Sequence, residues 1–182
     1  MMKVFRNNEL MLEQSVVTIG AFDGIHRGHQ ALIERAVNRA KELAVPSVVY
    51  TFNPPPRAFF QNQMVLTNVG EKISFIKKMK VDYVIIADFN EHYASRSPEA
   101  FLQELKVLNP QEAWVGPDFN FGKGKRGTAA DLSAMFQTFT HPPIKCSKGE
   151  TISSTRIRNL LCKQEAQLAN ELLGRNLFKK IL

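Results

Sequence analysis

Four short apolar runs, 15–22, 46–52, 81–89 and 112–117, do most to limit what this chain can fold into. Each is rich in β-branched or aromatic residues and bounded by Gly, Pro, Asp or Asn, the pattern of a buried strand. Segments of helical periodicity separate them. Within 30–43, Leu32, Ile33, Ala36, Val37 and Ala40 recur on one side and Glu34, Arg35, Arg39 and Lys41 on the other. Residues 69–79 and 98–105 behave likewise, the latter with Ser97 as cap and Pro98 at the first helical position. Strands alternating with helices of this length predict an α/β fold, a doubly wound parallel sheet. Such sheets bind ligands beyond the carboxyl ends of their strands. Three unusual loops follow predicted strand ends, at 22–29, 53–60 and 117–127, and a fourth stretch, 151–161, opens a helix.

Composition narrows the class. A chain of 182 residues fits one full-sized domain, taken here as 1–182, and 44% apolar with 23% charged residues is the balance of a soluble globular protein. The formal charge of +7 favours anionic partners without choosing among them. Cys146 and Cys162 have no partners at ligand spacing, which excludes a disulfide framework or a Cys-rich zinc site and predicts a reducing cytoplasm. The first residues lack the apolar segment of a signal peptide, and no run has the length of a membrane span.

The loop after the first run reads TIGAFDGIHRGH, Thr18 to His29. A glycine-containing turn that opens a helix presents backbone N–H groups and the positive end of the helix dipole, a natural anion site. Gly28 leaves room for a phosphate near the backbone. His26 and His29 are three apart, so both imidazoles can lie on one side of the first turn. A zinc site needs further ligands, and His92 and His141 offer no motif. Phosphate binding is the favoured reading, with a structural pair of capping histidines as its competitor. In ISSTRIR, Ser153, Ser154 and Thr155 suit a helix N-cap, while the same hydroxyls with Arg156 and Arg158 would equally form a phosphate clamp. The segment GPDFNFGKGKRGT reads either as a solvated loop or as a lid offering Phe119 or Phe121 as an apolar wall and Lys123, Lys125 or Arg126 as charge.

Together these stretches resemble one family. GAFDGIHRGH contains the H-x-G-H signature of nucleotidylyltransferases within the longer pattern of bacterial FAD synthetases. TFNPPPRAFF, LTNVGEKISFIKKMKVDYVIIADF, VGPDFNFGKGKRGT, ISSTRIRNLL and ELLGRN follow in that family's order. The resemblance implies a Rossmann-like nucleotidylyltransferase fold and transfer of AMP from ATP to FMN, with Mg2+, giving FAD and pyrophosphate. It implies His26, His29 and Arg158 as catalytic residues, and Gly20, Phe22, Asp23, Gly24, Gly28, Ser154 and Thr155 around ATP. Phe52, Asn53, Pro54, Pro56, Phe60, Asp118 and Phe121 would border the flavin. Metal ligands are not assigned, and ATP and FMN are the implied partners rather than nucleic acid or membrane. The family commonly has a histidine at the position of Pro55, an acidic residue at that of Pro117 and an arginine at that of Asn120. The bifunctional members continue past LLGR into a riboflavin kinase domain, so kinase activity is not expected of this chain. A weakly catalytic flavin- or nucleotide-binding regulator, or another H-x-G-H transferase, are the competing readings.

Overall fold

A computed structural model describes residues 1–176, so the last residues of the expected 1–182 domain lie outside the described span. Its strands are β1 (Lys3–Arg6), β2 (Ser15–Ile19), β3 (Ser47–Asn53), β4 (Tyr83–Asp88), β5 (Pro110–Val115), β6 (Asn120–Phe121), β7 (Gly127–Thr128) and β8 (Thr138–Thr140). The helices are α1 (Arg27–Glu42), α2 (Pro56–Gln61), α3 (Val69–Lys78), α4 (Glu91–Ala94), α5 (Pro98–Lys106), α6 (Ala129–Ser133), α7 (Ser154–Cys162) and α8 (Ala166–Leu173). A six-stranded parallel sheet has the order β1-β4-β3-β2-β5-β8. The chain winds outward from β2 through β3 to β4, then returns to lay β5 on the other side of β2. The sheet's switch point therefore falls between β2 and β5, the place where open α/β sheets hold ligands.

The predicted doubly wound sheet is the observed one, and its central strands are apolar on both faces because both are covered. Val16, Val49, Val84 and Trp114 pack on one face against Leu32, Ile33, Ala36, Val37 and Ala40 of α1 and Ile76 of α3. Val17, Ile19, Tyr50, Ala113 and Val115 pack on the other with Phe101, Leu102 and Leu105 of α5. A third cluster joins α7 to α8 through Ile157, Leu160, Ala169, Leu172 and Leu173, with Leu66 beneath them.

Boundaries moved where backbone geometry overrode apolar content. The run 15–22 stops being a strand at Ile19, because Phe22 takes a positive φ of 47° and turns the chain out of the sheet. The run 112–117 starts as a strand at Pro110, a first-strand position where proline removes no needed donor. Helix α1 begins at Arg27, ahead of the predicted 30, since its first turn is polar and capped. The predicted loop 117–127 contains a hairpin, β6 with β7, around a short 3-10 turn at Lys123–Lys125. The edge strands β1 and β8 had no strong signal, for they are short and partly exposed.

Candidate active site

Beyond β2 the chain enters a strained turn. Phe22, Gly24 and Ile25 have φ of 47°, 87° and 39°. Non-glycine residues hold that region only where their surroundings over-determine it. Here the surroundings are specific. The Asp23 carboxylate accepts the N–H groups of Leu66 and Thr67 at 2.9 and 3.1 Å and pairs with the buried Arg158 guanidinium. Ser154 Oγ donates to the Asp23 carbonyl at 2.8 Å, and Arg175 donates to the carbonyls of Gly24 and Ile25. At Gly24 a Cβ would stand 3.0 Å from Leu66, so both its φ and its space call for glycine.

The turn delivers His26 to the N-cap of α1 and His29 to its first turn. His26 Nδ1 accepts the His29 backbone N–H at 3.2 Å, and the two rings stack with centroids 3.6 Å apart and planes 15° from parallel. The edge of Phe22 meets His29 at 5.3 Å, and a Cβ at Gly28 would lie 3.2 Å from the His26 ring. Capping and ligand binding are thus compatible here, because only Nδ1 of His26 is used in the cap. Its proton then resides on Nε2, and among the described residues Nδ1 of His29 is buried without a partner.

Burial pushes the His26 pKa down to about 4, with Arg175 acting in the same direction. Burial likewise holds His29 well below the ordinary histidine value, reinforced by His26, Lys72 and Arg175. Both rings are neutral near pH 7 and act as hydrogen-bond donors. The linkage has a definite sign. Below pH ~6.5 the unfolded chain binds protons that the folded pair refuses, so stability is full above that pH and is lost as pH falls toward about 4. For His26 the expected loss is ~1.4 kcal/mol per pH unit over that window, and His29 acts in the same direction. Urea midpoints at pH 7 and pH 5 check it. His26→Asn, which keeps a capping oxygen, is expected to flatten the fall, and a slope unchanged by the substitution would assign the acid sensitivity to other groups.

A second buried cation braces the turn from α3. Lys72 is 2% exposed, and its Nζ donates to the Ala21 carbonyl at 2.8 Å, the Phe52 carbonyl at 3.1 Å and Thr51 Oγ1 at 3.3 Å. It ties the turn after β2 to the end of β3. Burial lowers its pKa to about 8 against the opposing pull of Asp23, so the ammonium stays largely charged at neutral pH.

At α7 the hydroxyls divide their work. Ser153 caps the helix by accepting the Arg156 N–H, Ser154 holds Asp23, and Thr155 Oγ1 accepts from Arg57 Nη1 at 2.7 Å. The expectation that these arginines clamp phosphate meets a different arrangement. Arg156 pairs with Glu150 and approaches Cys146 Sγ, while Arg158 turns inward to Asp23 and the Met64 carbonyl. Among the described residues Nη1 of Arg158 has no partner, and it is buried.

Next to this turn, beyond the ends of β3 and β4, lies a cavity of about 390 Å³, within the range of small-molecule sites. Phe52, Phe60, Phe89, Tyr93, Phe101 and Phe121 form its aromatic wall, with Pro56, Arg57, Arg96 and Lys125 around it. Phe121 is held by Phe101 and Phe119, so the hairpin supplies one side. Beneath, Tyr50 bonds both Tyr93 and Glu104, and Arg96 pairs with Glu104.

The structure brings Phe52, Pro56, Phe60 and Phe121 of the expected flavin set to this cavity. Asn53 and Asp118 are exposed and Pro54 half-buried, and none of the three lines it. Gly20, Phe22, Asp23, Gly24, Gly28, Ser154 and Thr155 all gather about the histidine turn, though Asp23 and Ser154 spend their side chains holding it. Sequence reasoning missed Arg57, Phe89, Tyr93, Lys72 and Arg175. Arg57 and Phe89 carried a signal, since Arg57 lies within the singled-out loop 53–60 and Phe89 ends the run 81–89. Lys72 carried none, being one lysine among several on an amphipathic helix.

The sequence profile described as FAD synthetase matches residues 8–156. A protein of Geobacillus thermodenitrificans, provisionally named a bifunctional riboflavin kinase/FMN adenylyltransferase, is 44% identical over 95% of this chain and 97% of its own length. The bifunctional riboflavin kinase/FMN adenylyltransferases of Haemophilus influenzae and Escherichia coli K12 are 34% and 33% identical. This chain spans 58% and 55% of their lengths. A crystal structure titled a macrolide-efflux protein from Streptococcus pneumoniae superposes with a TM-score of 0.84 at 30% identity, over 96% of this chain and 62% of that one. Among the described residues no helix is long and apolar enough to cross a membrane. A pantoate-beta-alanine ligase from Francisella tularensis shares the fold, at a TM-score of 0.51 and 14% identity over 91% of this chain and 81% of that one.

Proposed function

Because this chain belongs to the FAD synthetase family, we propose that it transfers AMP from ATP to FMN, and that its histidine turn and aromatic cavity divide the two substrates between them. The observation that carries this reading is their adjacency. The helix terminus that carries His26 and His29 follows β2, and an apolar, aromatic cavity lies at the ends of the neighbouring β3 and of β4, within one parallel sheet. A phosphate of FMN attacks the α-phosphorus of ATP, a P–O bond forms, and the bond to the β-phosphate breaks with pyrophosphate leaving. The acceptor brings its own nucleophile, so the protein's task is positioning and charge stabilisation.

His26 and His29 would donate from Nε2 to the phosphate oxygens on which charge accumulates, helped by the N–H groups at the start of α1. The first N–H groups of α7, at Ser154 and Thr155, precede that helix's own ladder and would add donors. Arg158 and Asp23, expected at the nucleotide, serve as positioning residues that keep the turn in its strained form. The aromatic wall would stack against the flavin ring.

Mg2+ belongs to the reading as well, but the residues supply no dedicated cage. Among the described residues no group of three or more His, Cys, Asp and Glu could hold a metal ion, and the Asp23 carboxylate is occupied by Arg158 and two backbone amides. Mg2+ would arrive on the ATP phosphates, as this ion commonly does. Incubation of purified protein with Mg·ATP and FMN is expected to yield FAD and pyrophosphate in equal amounts, read by chromatography. No FAD across a range of Mg2+ and protein concentrations would sink the proposal.

A further inference from the structure

We propose that Arg57 reads the phosphate of the acceptor flavin, and so makes the aromatic cavity select FMN over riboflavin. The inference rests on the adenylyl-transfer reading and names the group that would recognise the acceptor's anionic end. The cavity is built for a flat apolar ring, and a phosphate attached to that ring needs a cation at the cavity's margin. Three cations line it: Arg57, Arg96 and Lys125. Arg96 is committed elsewhere, with Nη1 on Glu104, Nη2 on the Ala100 carbonyl at 3.0 Å and its plane over Tyr93. Lys125 sits on the exposed turn between β6 and β7. Among the described residues only Arg57 both lines the cavity and touches α7.

Its contact there is the second observation. Arg57 Nη1 rests on the hydroxyl of Thr155, in the first turn of a nine-residue helix with no acidic residue in that turn. The neighbouring Ser154 holds the carbonyl of Asp23 in the histidine turn. Arg57 therefore stands at the seam between the cavity and the turn bearing His26 and His29. Among the described residues its guanidinium meets no carboxylate, only a neutral oxygen beside a positive helix end. A phosphate at that seam would take a bidentate pair from Arg57. That places its free oxygen next to the nucleotide, as in-line transfer requires. Arg57 moves no proton; it holds the attacking phosphate.

Quenching of flavin fluorescence gives affinities for FMN and riboflavin, with and without α,β-methylene-ATP, and needs no turnover. The native protein is expected to bind FMN tenfold or more tighter than riboflavin. Arg57→Ala should bring that ratio close to one by weakening FMN alone, and Arg57→Lys should restore part of it. Arg57 is exposed, so both variants are expected to fold, which a melting curve checks. Equal weakening of both flavins, or a loss confined to the ATP analogue, would overturn the proposal, as would a native protein that binds the two flavins alike. FAD formation by a protein with no FMN preference would remove Arg57's role and leave the adenylyl-transfer reading standing. A ratio that collapses in a protein making no FAD would do the reverse.

Discussion

Replacing His29 by alanine is expected to lower the turnover number for FAD formation by about 100-fold or more, the cost of losing one donor to charge that develops in a transition state. The residue sits in the first turn of α1, stacked on His26 and edged by Phe22. Because its ring is held neutral, it donates a hydrogen bond rather than a full charge. The loss should fall on kcat, with KM for FMN little changed, since the aromatic cavity proposed for the flavin is formed by other side chains. His29→Gln, which retains an N–H donor, should recover part of the rate. Steady-state kinetics with each substrate varied, beside a melting curve for the variant, check this. A normal kcat in a folded His29→Ala protein would leave His29 with packing alone.

The largest effect on stability is expected at Asp23. Removing one partner of a buried ion pair strands the other charge away from water, at a cost of about 3–5 kcal/mol. Asp23→Ala strands Arg158, which is 8% exposed, and also releases the N–H groups of Leu66 and Thr67. For a domain of this size the loss corresponds to a Tm lower by about 10 °C. Arg158→Met should cost a similar amount, and the double variant less than the two together, because replacing both charges leaves neither stranded. Thermal melts of the three variants test this as a cycle, and strict additivity would show that the pair is not coupled. Activity should fall with Asp23→Ala even at low temperature, because the turn that presents both histidines is held through this carboxylate.

Much of the fold was legible because its information is local. Central strands covered on both faces must be apolar throughout, and α1 must show one apolar face, so runs such as SVVYTF and QALIERAVNRA declare themselves. The edge strands were not legible, since among the described residues Lys3–Arg6 pairs with one strand and has little buried surface to mark it. The histidine turn was legible for a different reason: only an unusual cluster of small and polar residues can make a strained turn that opens a helix.

The sequence by itself determined the class of sheet, and it singled out the turn after β2 with its two histidines as a candidate anion site. These follow from spacing along one stretch of chain. Which arginines are paired with a carboxylate was decided only by the tertiary structure. Arg57 and Arg158 are equally basic in sequence, yet Arg158 meets Asp23 across 135 residues and is neutralised, while Arg57 meets a neutral hydroxyl 98 residues away. Lys72 likewise became a buried brace only because the ends of β2 and β3 present oxygens where its ammonium arrives. A charge takes its role from the groups that surround it, and those are assembled by contacts that no local pattern encodes.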